Sequence, residues 1–300
     1  MSVRAALKAC FEAGLVRSGV PALHRVTRAS RALVLAYHNV VPDSCPPFGD
    51  RSLHLPRSQF VRQVQCLLTT HTVVGLDQLL TPAPPTGRRP RVAITFDDGY
   101  RGAVLIGVEE LAKRGLPATL FVVPGLVGKD FWWDALSAEG GLDPALRRHA
   151  LEELRGKDDR VRGWATRQGI AVRPVPEWAR AASEAELRGA ARHPGISLGS
   201  HTWSHVNLAR LTPSERQEEL RRPLAWLRER APSAVPWLSY PYGLTEPAVE
   251  AAAREAGYAA AVALGGGWFA PARVNPWAVP RESIPAGLSE NGFVIRSSGL

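Results

Sequence analysis

The chain has 300 residues, 45% hydrophobic and 22% charged, with a net charge of +9 and a pI near 10.1. That composition supports a buried core and excludes bulk disorder. The positive charge is mostly Arg, spread along helical patterns without an aromatic-interleaved basic motif. No nucleic-acid partner is therefore expected, while a loose preference for anionic surfaces stays open.

At the N-terminus Val3, Leu7, Phe11 and Leu15 recur every four residues, one face of a helix, with Arg4, Lys8 and Arg17 off that face. The preferred reading packs the face on the domain; the other lays it on a membrane surface. Lys8 and Glu12 interrupt the apolar run, so it does not read as a signal peptide. No stretch reaches the ~18 consecutive apolar residues of a membrane span. Cys10, Cys45 and Cys66 match neither a disulfide framework nor a zinc-finger spacing and suit a reducing compartment. A cytoplasmic protein is expected, with attachment at the inner membrane face as the variant. Residues 1–30 read as a basic amphipathic segment and 31–300 as one domain.

Strand signals follow at ALVLAY (32–37), VAITF (92–96), ATLFVV (118–123), ISLGS (196–200), PWLSY (236–240), AAAVA (259–263) and WAVP (277–280). All are short apolar runs without alternation, as in strands buried on both faces of a parallel sheet. Helical patterns lie between them. SQFVRQVQCLL carries Phe60, Val64 and Leu67 on one face, and GVEELAKRG stops at Gly115. LTPSERQEELRRPLAWLRER opens with Thr212 as N-cap, Pro213 at the first helical position and Glu215 closing a capping box. The alternation predicts an α/β fold with a parallel sheet, and about seven βα units predict a barrel, complete or incomplete. From about 130 to 194 no strand signal occurs, which predicts a helical insertion after the third strand, near the barrel mouth.

Two motifs carry chemistry. TFDDG sets Asp97 and Asp98 side by side at the end of a buried strand, where like charges repel unless a cation lies between them; a plain Asp-Gly turn is the simpler reading. SHTWSH places His201 and His205 four residues apart, a spacing that lets two imidazoles converge on one metal. If both motifs end neighbouring strands, one aspartate completes an Asp-His-His site and the other is left as a base.

TFDDG paired with HTWSH resembles the NodB-homology polysaccharide deacetylases, carbohydrate esterases that remove N-acetyl groups from sugars. SYPYG (239–243) resembles a third element of that family, and the likeness runs from about Leu33 to Ile284 outside the insertion. The resemblance implies a distorted TIM-like (β/α)7 barrel with the metal at the C-terminal ends of its strands. It also implies Asp97 as general base, Asp98, His201 and His205 as metal ligands, and the Tyr242 backbone N–H as oxyanion donor. The family's third element begins with an Arg that orients the base; Ser239 stands there. Arg281, just beyond the last strand, is the expected replacement, with a surface ion pair as its alternative. The usual catalytic acid is a late His, and no His follows His205. His38, ending the first strand, resembles the N-terminal acid of the branch typified by the exopolysaccharide deacetylases PgaB and IcaB; a core or turn histidine is the alternative. His24, His54, His71, His149 and His193 read as structural. Trp132, Trp133 and Trp268 are candidates for sugar stacking and Asp134 for a substrate contact, against ordinary packing.

The function expected is metal-dependent removal of N-acetyl groups from an N-acetylated sugar or polysaccharide precursor. Zinc is the first choice, with Co, Ni, Fe and Mn also compatible. Two alternatives stay open: a deformylase or deacetylase of a lipid- or nucleotide-linked sugar, and a non-catalytic glycan-binding descendant. The missing Arg at position 239 is the best support for the last. The sequence names neither the sugar nor the oligomeric state.

Overall fold

A computed structural model describes residues 3–81 and 89–300, with Val3 as backbone only, so its side chain lies outside the described residues. Seven parallel strands close a barrel: β1 (Ala32–Tyr37), β2 (Arg91–Phe96), β3 (Ala118–Val122), β4 (Ile196–Ser200), β5 (Ala234–Ser239), β6 (Ala260–Leu264) and β7 (Val279–Ser283). Every residue of β1 is buried, and its neighbours are β2 over the full length (Ala32↔Arg91 to Tyr37↔Phe96) and β7 at Leu35↔Glu282. The first and last strands thus meet, and the segments following β1, β2, β4 and β5 leave the barrel at one rim. The other edge of β2 is shared. Thr72–Val73 pairs with its start and β3 with its end, which splays the barrel from regular closure.

The helices cover this sheet. α1 (Val3–Arg17) and α2 (Val20–Val26) precede the barrel, and α3 (Arg57–Thr70) buries Phe60, Val64 and Leu67, each fully covered and contributing roughly 1.5–3 kcal/mol. Between β3 and β4 lie α4 (Trp132–Ala135), α5 (Pro144–Glu152), α6 (Asp158–Arg167) and α7 (Glu184–Ala190). α8 (Pro213–Arg230) starts with the expected capping box, Thr212 Oγ1 accepting from Glu215 N and Glu215 Oε2 from Thr212 N. α9 (Pro247–Ala256) stops at Gly257 in a left-handed cap, and α10 (Glu290–Ser298) follows β7.

Two local expectations are corrected. The last strand begins at Val279 rather than 277, because the Asn275 side chain accepts from Trp277 N (3.0 Å) and holds residues 275–278 in a turn. Arg281 therefore lies inside β7, not beyond it. The N-terminal helix packs on the domain, but not through Leu7 and Phe11 of its apolar recurrence. Leu7 is 65% and Phe11 70% exposed, and the contact with α10 runs instead through buried Glu12, which accepts from Ser289 Oγ.

Candidate active site

Strain gathers at the barrel rim. Five non-glycine residues have positive φ among those described, and four of them, Asp98 (68°), Thr202 (64°), His205 (57°) and Tyr242 (60°), belong to the three motifs. Such conformations cost about 1–3 kcal/mol each and persist only where the surroundings enforce them. Asp97 N extends the β1–β2 ladder by donating to Tyr37 O (2.9 Å); the left-handed turn at Asp98 and Gly99 follows. Because of that turn, adjacent carboxylates serve different partners.

Asp98 serves the histidines. Its Oδ1 lies 3.4 Å from His201 Nε2 and 3.1 Å from His205 Nε2, and all three residues are buried. His201 Nδ1 donates to Ser239 O (2.7 Å), which leaves Nε2 as a lone pair facing Asp98. Asp98 Oδ1 is a buried acceptor with no hydrogen-bond donor among the described residues. A tetrahedral ion with bonds of about 2.0–2.1 Å holds its ligand atoms about 3.3 Å apart. The donor set therefore fits a divalent cation, and the three ligand atoms lie within 4.8 Å of one another. Burial would raise the Asp98 carboxyl, but the two imidazoles hold it well below the usual range.

The histidine motif is a braced loop, not a helical turn. Thr202 Oγ1 accepts from His205 N (3.1 Å). Pro223 stands inside α8 and has no N–H, so the Glu219 carbonyl loses its helical donor. Trp203 N takes that carbonyl (3.1 Å), and the Glu219 carboxylate accepts from Ser204 N (2.9 Å) and Oγ (2.6 Å).

Asp97 serves Arg281. The guanidinium, 1% exposed, donates from Nη1 to Oδ1 (2.8 Å) and from Nη2 to Oδ2 (2.7 Å). Nη2 also donates to Ser239 Oγ (2.8 Å) and Nη1 to Thr95 Oγ1 (3.2 Å). A small hydroxyl at 239 thus receives an Arg arriving from β7, and the surface-pair reading of Arg281 is excluded by its burial. Burial pushes the Asp97 carboxyl up, yet Arg281 and His201 outweigh it and bring it to about 2. Asp97 is ionised at neutral pH.

His38, Asp97, Asp98, His201, His205, Tyr242, Trp132 and Trp133 line one cavity. The Tyr242 ring stands edge-on to His205 at 4.6 Å, and its hydroxyl donates to His205 O (3.0 Å). Trp132 and Trp133 are cavity wall rather than exposed platforms, only 1% and 6% accessible, and the Trp133 ring leans on His205 at 4.6 Å.

Two other expected contacts are corrected. Asp134 is fully buried and spends both oxygens internally. It accepts from Tyr100 OH (2.7 Å) and Asp50 N (3.0 Å) and pairs with His54 Nε2 (3.1 Å), while Trp133 Nε1 donates to Tyr100 OH (2.7 Å). It props the cavity wall and does not reach the cavity. Trp268 lies at the opposite rim. The next residue, Phe269, exchanges backbone hydrogen bonds with Ala32 at the start of β1, and the Trp268 ring stacks on His71.

Sequence reasoning missed four residues here. Ser239 counted only as an absent Arg. Glu219 had one usable signal, the proline four residues on. Asp50 and Arg147 also line the cavity, 3.2 Å apart and 97 residues distant in sequence, and no local pattern marks either.

A family model described as polysaccharide deacetylase matches residues 85–261. At 22% identity over 273 residues, 90% of this chain and 77% of the relative, the sequence is similar to YxkH of Bacillus subtilis, which is named as a candidate polysaccharide deacetylase. Among solved structures, the chain is similar to the Streptococcus pyogenes deacetylase PplD in complex with acetate. The TM-score is 0.62 at 15% identity, over 89% of this chain and 98% of that one. It is also similar to IcaB from Ammonifex degensii, with a TM-score of 0.60 at 19% identity, over 90% and 97% of the two chains.

Proposed function

The chain belongs to the polysaccharide deacetylase family, and from that premise we propose how its residues divide the hydrolysis of an N-acetyl group on a glycan. The protein is a metal-dependent hydrolase of acetylated sugars. Asp98, His201 and His205 would hold a divalent metal, which would supply Lewis-acid polarisation of the acyl carbonyl and lower the pKa of the attacking water. Zinc is our first choice, because two imidazoles and a carboxylate form a catalytic zinc set with a position left open for water; Co, Ni, Fe and Mn are compatible with the same donors.

Asp97 takes the proton of the attacking water, its carboxylate plane fixed by the Arg281 fork. The Tyr242 amide, at a left-handed turn beside His205, is the donor for the oxyanion. His38 gives a proton to the departing nitrogen, without which the amide C–N bond would not break. Trp132 and Trp133 offer an apolar wall to the sugar ring. The products are acetate and an amino sugar.

The observation that carries this reading is the split between adjacent carboxylates, one facing two imidazoles and the other gripped by an arginine. It also weighs against a non-catalytic descendant, since Arg281 grips Asp97 from β7 where the family's Arg is missing at Ser239. The test is release of acetate and formate from a panel of N-acetylated and N-formylated sugars, oligomers and nucleotide sugars. Wild type with one divalent ion per chain should release acetate. The His201→Ala, His205→Ala double variant should hold no metal and release none. Fully metallated protein that hydrolyses nothing in the panel would defeat the reading.

A further inference from the structure

The segment before the barrel leaves its apolar side chains in solvent. Every residue from Arg4 to Phe11 is exposed, with Leu7 at 65% and Phe11 at 70%; on α2, Leu23 is 66% and Val26 58% exposed. Of the ten large hydrophobics exposed among the described residues, five (Leu7, Phe11, Val20, Leu23 and Val26) fall between positions 7 and 26. Isolated exposed apolar residues need no explanation, but this concentration does.

Charge says what such a surface meets. Residues 3–31 carry six cations, Arg4, Lys8, Arg17, Arg25, Arg28 and Arg31, against one acid, more than half of the chain's +9. The acid, Glu12, is buried, accepting from Ser289 Oγ and lying 3.7 Å from the Nζ of Lys8, whose side chain stays 70% exposed. On a helix of 3.6 residues per turn, Arg4 and Lys8 adjoin one edge of the Leu7–Phe11 stripe and Arg17 the other. An apolar stripe with cations on both flanks is the pattern of a helix lying in a lipid interface. A second copy of the chain would bring those like charges together.

The placement has a use. Ser289, the partner of Glu12, follows a short loop from Ser283, which lines the cavity, and Ala286 N in that loop donates to Ser52 O of the cavity wall. From Glu12 at the start of α10 the chain descends to His24, whose ring meets Ser298 O at the end of α10. The turns before Glu12 therefore stand on the cavity side.

We propose that α1 and α2 dock the protein peripherally on an anionic phospholipid bilayer, with Leu7 and Phe11 entering the interface and Arg4, Lys8 and Arg17 meeting the headgroups. This docking stands apart from the deacetylase reading, because lipid binding is measured without turnover. In co-sedimentation, wild type should bind vesicles of phosphatidylglycerol mixed with phosphatidylcholine, bind phosphatidylcholine alone far less, and lose binding as salt rises. The Leu7→Ser, Phe11→Ser variant should bind roughly tenfold less or weaker. Arg4→Gln with Lys8→Gln should also weaken binding, by about fivefold per cation removed. Both variants should melt with wild type, since the altered side chains are exposed. Wild type that ignores anionic vesicles, or a Leu7→Ser, Phe11→Ser variant that binds like wild type, would overturn the proposal. So would wild-type self-association that this variant abolishes without any vesicle binding, which would assign the face to a second copy.

Discussion

Arg281 and Asp97, 184 residues apart, meet in two parallel hydrogen bonds of 2.8 and 2.7 Å inside the barrel. A lysine delivers a point charge and cannot reproduce the fork. Arg281→Lys should keep its metal and lose roughly tenfold or more in kcat. Arg281→Met strands a buried carboxylate and should cost about 3–5 kcal/mol in urea denaturation. Adding Asp97→Asn to Arg281→Met should restore part of that stability and none of the activity. Wild-type kcat in Arg281→Lys would make the pair a structural tie only.

Asp97→Asn should retain the metal and lose about 10²–10⁴-fold in kcat, the usual worth of a general base. Because Asp97 is held at about 2, it stays ionised well into the acid range. An acid limb near neutrality in the pH–rate profile would have to belong to another group. Elemental analysis beside steady-state acetate release reads both points.

With His38 proposed as the acid for the leaving group, its removal should matter in proportion to how poor that group is. His38→Ala should lose about 10²–10⁴-fold in kcat on an acetamide, with metal content unchanged. Hydrolysis of an activated acetate ester, whose alkoxide leaves unaided, should be nearly untouched. Equal losses on the two substrates would remove His38 from the acid's role.

Glu219 braces the histidine loop from a distance, and burial pushes its carboxyl above the usual range. Glu219→Ala leaves Ser204 N and Oγ unpaired. Metal affinity should fall about 10–100-fold by competition with a chromophoric chelator, as for other residues that support ligands from behind. Glu219→Gln, which keeps one acceptor, should fall between this variant and wild type.

His71 gives the fold a pH dependence far from the active site. Buried, with Arg25 nearby, it is lowered from 6.5 to about 4, although its Nε2–H donates to Ser297 O. Between those values the unfolded chain binds a proton that the folded chain refuses. Stability should therefore fall as pH drops from about 6.5 to 4, by roughly 3 kcal/mol, and this contribution should level off below. His71→Phe keeps an aromatic face on Trp268 and removes the titration. Its stability, lower at neutral pH by about 1–3 kcal/mol for the unpaired carbonyl, should lose that part of the slope. Urea midpoints at several pH values measure the difference; parallel slopes would assign the acid sensitivity elsewhere.

Local sequence patterns placed the seven barrel strands to within a few residues, the start of α8 and the two motifs that carry Asp97, Asp98, His201 and His205 to one rim, while the choice of Asp98 as the ligand came from the family resemblance. Those placements rest on short-range patterns: unbroken apolar runs, a capping box at Thr212 and Glu215, and two motifs whose ligands end buried strands. Tertiary structure alone decided what depends on which strands become neighbours. Arg281 reaches Asp97 because barrel closure sets β7 beside β1 and β1 beside β2. Trp268 falls at the far rim because Phe269 pairs with the start of β1. Asp134 is consumed by Tyr100, Asp50 and His54, which no spacing links to it. Leu7 and Phe11 remain in solvent because Glu12, not the apolar stripe, makes the contact with α10. Periodicity records which residues share a face of one element; what that face meets is set by register and closure, which are properties of the whole sheet.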